Sequence, residues 1–240
     1  MNGLKTEHWH NIVVLTGAGI SAESGLGTFR GAGGLWEQHR VEEVATPEAF
    51  AADPAMVYRF YNARRAQLAE AEPNAAHRAL AEMERRWQGG FALVTQNVDN
   101  LHRRAGSTRV YSMHGELDKM RCQRSGSVLD APVYFDSEHC CSCCGVAGSL
   151  RPHVVWFGEV PLFMDEITAL LAHCDLFVAI GTSSTVYPAA GFVALAREAG
   201  ATTLEINPEP TEASSRFHHH WRGRATELVP KLADLLLSSP

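Results

Sequence analysis

Residues 11–30, NIVVLTGAGISAESGLGTFR, constrain the fold of this chain more than any other stretch. A short apolar run at 12–15 breaks at Gly17-Ala18-Gly19 and passes into small residues able to open a helix. That order is how a sheet strand delivers a nucleotide phosphate to backbone N–H groups. Gly17 and Gly19 allow a tight turn and close approach to a pyrophosphate, and Ala22 takes the third place of the G-x-G-x-x-G/A pattern. A glycine-rich strand–helix turn with no ligand fits the same pattern. The acidic residue that a dinucleotide fold places about twenty positions on, at a second strand end, falls here on Glu42-Glu43, in polar sequence with no strand before it. The turn suits a nucleotide, but not an ordinary dehydrogenase.

A chain of 240 residues can build one good-sized core, or one core with a small inserted module. A net charge of -6 supplies no basic field for nucleic acid. No run of about 18 apolar residues exists, and the N-terminal MNGLKTEHWHN has neither an h-region nor a transit pattern, so no membrane span and a cytoplasmic location are expected. Of six cysteines, five lie between Cys122 and Cys144, which in a cytosolic chain suggests metal rather than disulfides. With no heptad and no long apolar edge, a monomer is expected. His218-His219-His220 reads as native surface sequence.

Taken in order, GAGGLWEQHR after Arg30 is a glycine-rich loop, and Thr46-Pro47 signals a helix start. Helix-forming composition over 54–72 puts Tyr61 and Arg64 on one face, a hydroxyl beside a guanidinium, suited to a carboxylate. A solvated Arg64 beside a half-buried Tyr61 is the alternative. Asn74 caps the next helix, in which His77 reads as a structural hydrogen-bonder. A strand at 91–94 then runs into Gln96, Asn97 and Asp99, polar residues where open α/β sheets bind ligands. A short strand at 109–113 delivers His114, either a general base or a histidine buried for packing.

The insert after His114 holds Cys122 and HCCSCC. A four-cysteine zinc site reads C-x-x-C, spacer, C-x-x-C. The second half is present as Cys141 with Cys144, or Cys140 with Cys143, but Ser125 stands where the mate of Cys122 belongs. A structural zinc on Cys122, Cys141 and Cys144 is expected, with a spare cysteine or His139 completing the set. The main fold resumes with LRPHVVWFGE as an apolar strand, then a helix at 165–174, a strand at 176–180 ending in Gly181-Thr182-Ser183, a helix at 189–199, a strand at 202–206 tipped by Asn207, and a helix at about 226–237. The alternation implies an α/β, Rossmann-like parallel sheet with helices on both faces, carrying a small zinc-binding module and a helical insert.

With these residues assembled, the chain resembles the sirtuins, the NAD-dependent protein lysine deacylases, along nearly its whole length. The resemblance rests on GAGISAESGLGTFRG, TQNVDNLH, MHGE, LRPHVVWFGE, GTSSTVYPAAG and LEINP. TFRGAGGLW and Tyr61-Asn62-Ala63-Arg64 are similar to the class III branch, in which tyrosine and arginine bind the carboxylate of succinyl- or malonyl-lysine. The resemblance implies one catalytic domain over 1–240, with the zinc module at about 117–150 and the helical insert at about 31–75. It places Gly17, Ala18, Gly19, Ser21 and Ala22 at the pyrophosphate, and Thr28, Phe29 and Arg30 near the nicotinamide ribose. Gln96, Asn97 and Asp99 hold ribose hydroxyls and carboxamide, and Gly181, Thr182, Ser183, Asn207 and Ala225 receive adenosine. Val155, Trp156, Phe157 and Gly158 pair with substrate backbone as an added strand.

The implied reaction removes acetyl and succinyl groups, and by extension malonyl. The acyl oxygen attacks C1′ as nicotinamide leaves, and His114 deprotonates a ribose hydroxyl that attacks the resulting imidate. Asn97 and Asp99 assist. Free lysine and O-acyl-ADP-ribose follow, and NAD is consumed without hydride transfer. Acyl-CoA synthetases are the implied protein substrates. A mono-ADP-ribosyltransferase and a non-catalytic NAD-sensing module are the alternatives.

Overall fold

The computed structural model describes residues 9–27 and 40–238, and its organisation starts from the apolar run singled out above. Residues Asn11–Thr16 form β1, buried along nearly its whole length, as expected of a strand covered on both faces. Helices α1 (Val41–Val44), α2 (Pro47–Ala52), α3 (Pro54–Glu70) and α4 (Ala75–Arg86) lead to β2 (Gly90–Thr95). Helix α5 (Leu101–Arg104) precedes β3 (Val110–Ser112), and β4 (Gly115–Cys122), β5 (Val128–Asp130) and β6 (Leu150–Val154) follow. The chain continues through α6 (Met164–Ala172), β7 (Leu176–Ile180), α7 (Phe192–Glu198), β8 (Thr202–Asn207), β9 (His219–Arg222) and α8 (Ala225–Leu237).

Six strands make one sheet in the order β3-β2-β1-β7-β8-β9, with every pairing parallel. Chain order runs outward from β1 on one side and from β7 on the other, so the two adjacent strands flank a topological switch point. A crevice forms there at the carboxyl ends. Alternate residues of the strands face opposite layers. Val14, Leu93, Val178 and Leu204 pack with α4 and α8, while Val13, Leu15, Phe177 and Ala179 pack with α6 and α7. Helix α4 begins where expected: Asn74 Oδ1 accepts from the amides of Ala76 and His77, and His77 Nδ1 accepts from the Asn74 amide.

Three elements depart from the sequence reading. Leu150–Val154 does not rejoin the parallel sheet; β6 pairs antiparallel with β4 in a separate sheet of order β5-β4-β6. Its apolar residues cover α3 and the cysteine cluster instead of the main core, and strand composition alone does not distinguish the two destinations. The turn after β1 opens into 3-10 turns at Ala18–Ile20 and Ala22–Ser24, shorter than the helix expected there.

The third departure is β9, absent from the sequence reading because HHWR carries no apolar alternation. It is an edge strand parallel to β8. Trp221 points into the core, and Arg222 Nη1 donates at 2.7 Å to Glu205, a carboxylate on β8 that also accepts from Thr211 and Ser214 hydroxyls. Burial pushes the Glu205 carboxyl up, but these bonds outweigh it and hold the group below its ordinary range. We expect Trp221→Ala to lower unfolding free energy by about 3–5 kcal/mol in urea titration, the range for a core aromatic. A loss under about 0.5 kcal/mol would return this segment to the surface.

Candidate active site and metal centre

At the switch point the β1 turn and the β7 turn pass in near contact. Gly17 Nα donates to the Ile180 carbonyl at 3.0 Å and Gly19 Nα to the Gly181 carbonyl at 2.8 Å. A Cβ on Gly17 or Gly19 would stand 2.8 Å from Gly181 or Thr182 backbone atoms, and Gly181 itself has φ +61. The glycines are thus required by each other's backbones. Both amides already serve neighbouring carbonyls, so what these two glycines would offer a pyrophosphate is close backbone approach. Ala18, first in its turn, keeps an amide with no partner among the described residues. Glu42 and Glu43 lie exposed on helix α1.

A cavity of about 630 Å³ opens here. It gathers Gly17, Ala18, Gly19, Ser21 and Ala22 from the first turn, and Gln96, Asn97 and Asp99 beyond β2. Tyr61 and Arg64 reach it from α3, His114 from the end of β3, and Val155, Trp156, Phe157 and Gly158 from beyond β6. Gly181, Thr182, Ser183, Asn207 and Ala225 close the far wall. Thr28, Phe29 and Arg30 lie outside the described residues. The sequence reading did not single out Glu23, Gln67, Tyr187 or Arg224, which also line the cavity. Gln67 was within reach, because it falls three residues beyond Arg64 on the same helix face.

The polar floor is already hydrogen-bonded. Asn97 Nδ2 donates to the Gly17 carbonyl at 3.1 Å and to Ser21 Oγ at 3.3 Å, which leaves Asn97 Oδ1 open. Ser21 Oγ donates to Asp99 Oδ2 at 2.9 Å, and Asp99 Oδ1 accepts from the Leu101 amide. Burial raises the Asp99 carboxyl above its usual range, against the pull of those two bonds. His77 fulfils its structural reading: burial, then the Arg78 charge, lowers it to about 4. Buried His102, whose Nε2 lies 3.0 Å from Thr16 Oγ1, is also held neutral by burial.

His114 lies half-buried with Nδ1 2.9 Å from the Gln96 carbonyl. A carbonyl can only accept, so Nδ1 carries the proton and Nε2 is left as the basic nitrogen. Burial lowers the imidazole below its ordinary value, and the Gln96 bond partly opposes it. Tyr61 is fully buried, not half-buried, and its oxygen accepts from Trp156 Nε1 at 2.9 Å. Arg64 lies on the same helix face with a buried Nε that has no hydrogen-bond partner among the described residues. A solvated face does not leave a guanidinium nitrogen in that state.

The amides of Val155, Trp156 and Phe157 donate to His114 O, Glu159 Oε2 and Ala45 O. Of the segment expected to pair as an added strand, three amides are therefore committed internally.

The sulfurs of Cys122, Cys141, Cys143 and Cys144 all lie within 4.8 Å of one another. A tetrahedral Zn–S distance of about 2.3 Å sets sulfur–sulfur edges of about 3.8 Å; Cys122 and Cys144 stand at 3.7 Å and Cys141 and Cys143 at 3.0 Å. The first pair matches that edge and the second is closer than it, and four convergent thiol sulfurs are the donor chemistry that suits one zinc ion. Cys143 completes the set, while exposed Cys140 and His139 stay outside. Ser125 Oγ sits 3.2 Å from Cys143 Sγ, a contact to a ligand rather than a ligand.

A parallel sheet with a glycine-bound crevice at its switch point, a histidine above it and a four-cysteine module together describe a nucleotide-using α/β protein. The Sir2 family matches residues 17–188, and the chain belongs to it. An NAD-dependent protein deacylase of Shewanella oneidensis is 56% identical over 232 residues, covering 96% of each chain. Among solved structures, a Sir2 homologue in complex with NAD has a TM-score of 0.88 at 39% identity, covering 96% of this chain and 92% of that one. Sir2Af2 bound to a myristoylated histone peptide has a TM-score of 0.75 at 35% identity, covering 95% and 92%.

We expect Cys143→Ser to lose bound zinc, from about one ion per chain to almost none by metal analysis, because serine is a poor ligand. Ser125→Ala keeps its zinc. Retention of metal by Cys143→Ser would overturn the ligand set.

Proposed function

We propose that this chain is an NAD-dependent protein lysine deacylase that removes acetyl and succinyl groups, and malonyl by the same chemistry, from lysine side chains of protein substrates. The observation that carries this reading is a single cavity lined both by the glycine turn and by Tyr61, Arg64 and His114. The domain is read as single, over 1–240, with the zinc module at about 117–150 and the helical insert at about 31–75.

When bound, NAD supplies an electrophilic ribose carbon and nicotinamide as the leaving group. The chain's own residues do the rest. Asn97 Oδ1 and the Asp99 carboxylate accept from ribose hydroxyls or carboxamide, and the free Ala18 amide donates to phosphate. His114 Nε2 takes a proton from a ribose hydroxyl, which is possible because the imidazole is neutral and its other nitrogen is held. Trp156 and Phe157 cover the lysine stem, and Arg64 meets the acyl carboxylate with its fork. A mono-ADP-ribosyltransferase has no use for a cationic acyl end, and a sensor has none for a held base.

The unpaired state of all six cysteines supports a reducing, cytoplasmic location. Among the described residues, no helix is long and apolar enough to cross a membrane. A monomer acting on acyl-CoA synthetases is the reading for partners, the latter resting on the family resemblance alone.

The test is NAD-dependent cleavage of one peptide carrying acetyl- or succinyl-lysine, with His114→Tyr as the inactive control. Arg64→Met is expected to cut desuccinylation by about 10²-fold or more in kcat/KM, the loss of a charge-assisted bidentate bond, and deacetylation far less. Equal losses would sink the Arg64 assignment.

The base must be neutral, and burial sets its pKa below 6.5, so kcat/KM should hold from pH 8 down past 6.5 and fall only as pH drops through that lowered value. An acid limb centred above pH 7 in the pH–rate profile would remove His114 from the role.

A further inference from the structure

The hydroxyl of Tyr61 has one proton and accepts one bond. Trp156 Nε1 donates to its oxygen at 2.9 Å, and among the described residues no acceptor faces the hydroxyl proton. Burial raises the phenol far above its ordinary value, so that proton is always present. The indole N–H therefore determines the direction of the hydroxyl: with its oxygen occupied from the Trp156 side, Tyr61 acts as a donor towards the cavity it lines beside Arg64.

Trp156 does not hold this pose alone. The Arg151 guanidinium stacks on its ring at 3.4 Å from the centroid. Arg151 Nη1 and Nη2 donate to both oxygens of Glu159, at 2.6 and 2.9 Å, and Nη2 also reaches the Val154 carbonyl. Glu159 Oε2 accepts from the Trp156 amide at 2.8 Å. Arg121 lies 3.7 Å from the same carboxylate. Ring and backbone of Trp156 are thus fixed by one half-buried ion pair, in which Glu159 faces Arg151 and, at longer range, Arg121, whereas Arg64 has no carboxylate partner among the described residues. Planarity matters here, since only arginine stacks and forks together.

We propose that Arg151 and Glu159 are positioning residues for acyl-group selection: through Trp156 they orient the Tyr61 hydroxyl as a donor to an acyl carboxylate held by Arg64. The inference rests on the deacylase reading given above.

Arg151→Lys keeps the charge but loses the stack and the fork. In the full chain with NAD, we expect KM for a succinyl-lysine peptide to rise about fivefold to tenfold, with its kcat unchanged. Deacetylation should stay within about twofold. In a Tyr61→Phe background the same substitution should add no further loss of succinyl selectivity, because the hydroxyl it orients is gone. The Trp156 indole N–H resonance, assigned by its disappearance in Trp156→Phe, should move in Arg151→Lys towards its position in Tyr61→Phe.

Should Arg151→Lys fold poorly, Glu159→Gln, which still offers the Trp156 amide an acceptor, is read by the same resonance and the same ratio of KM values. An unmoved resonance with an unchanged ratio overturns the inference, as does an equal rise in KM for both peptides. Arg64→Met separates the two levels. If it alters selectivity while Arg151→Lys does not, this inference alone falls; if Arg64→Met has no selective effect, the carboxylate reading falls and takes the inference with it.

Discussion

Two backbone turns meet at the carboxyl ends of β1 and β7, closer than any side chain would allow. Gly17, Gly19 and Gly181 stand where an added methyl meets backbone at less than 3 Å, and the amides of the first two are spent joining the turns. From that contact follow the register of the central strands, the position of the crevice, and the placement of Ser21, Asn97 and Thr182 around it. Gln96 Nε2 donates to Thr182 Oγ1 at 3.0 Å and Asn207 Nδ2 to the Thr182 carbonyl at 2.9 Å, so strands on both sides of the switch point share one turn. The glycines act as packing elements first, and the shape that receives a nucleotide results from that packing.

Beneath the cavity lies a layer of polar side chains that a core would normally exclude. Thr16, Thr95, His102, Ser21, His77, Asn97 and Asp99 hydrogen-bond to one another, which offsets the cost of their burial, although His102 Nδ1 has no partner among the described residues. Both histidines are kept neutral by desolvation, so the layer carries little charge besides Asp99. Asp99 is thus the carboxylate of this polar floor. At the α3 side of the cavity Arg64 has no carboxylate partner among the described residues, while Arg151 and Arg121 share Glu159.

The sheet was legible where composition and periodicity coincide. Residues 12–15, 91–94 and 176–180 are apolar runs closed by small or polar residues, and each became a buried parallel strand ending at the crevice. Asn74 and its helix were equally plain, because a cap is a local signal. Two outcomes depend on tertiary partners the sequence does not encode locally. LRPHV is apolar in either sheet, and only pairing with β4 decides its home. HHWR becomes a strand through Glu205, a buried carboxylate fifteen residues or more away along the chain. At the site, residue types and positions were readable, whereas hydrogen-bond commitments were not: nothing local tells that the Gly17, Gly19 and Val155 amides are already occupied. The fourth sulfur was left among the spare cysteines and His139, and only the folded loop brings Cys143 to the other three.

Strand β6 joins the two chemistries of this molecule mechanically. At one end Leu150 sits opposite Cys122 of the cysteine cluster, and past the other end at Val154 the same extended chain becomes Val155, Trp156 and Phe157, which line the cavity. Five residues of strand separate the two, about 17 Å of nearly inextensible backbone. The cysteine cluster therefore sits at one end of a short rod whose other end, tied to His114 and Ala45, is a wall of the cavity. Slack introduced at the cysteine end is delivered to that cavity wall, while the glycine contact is built on other strands.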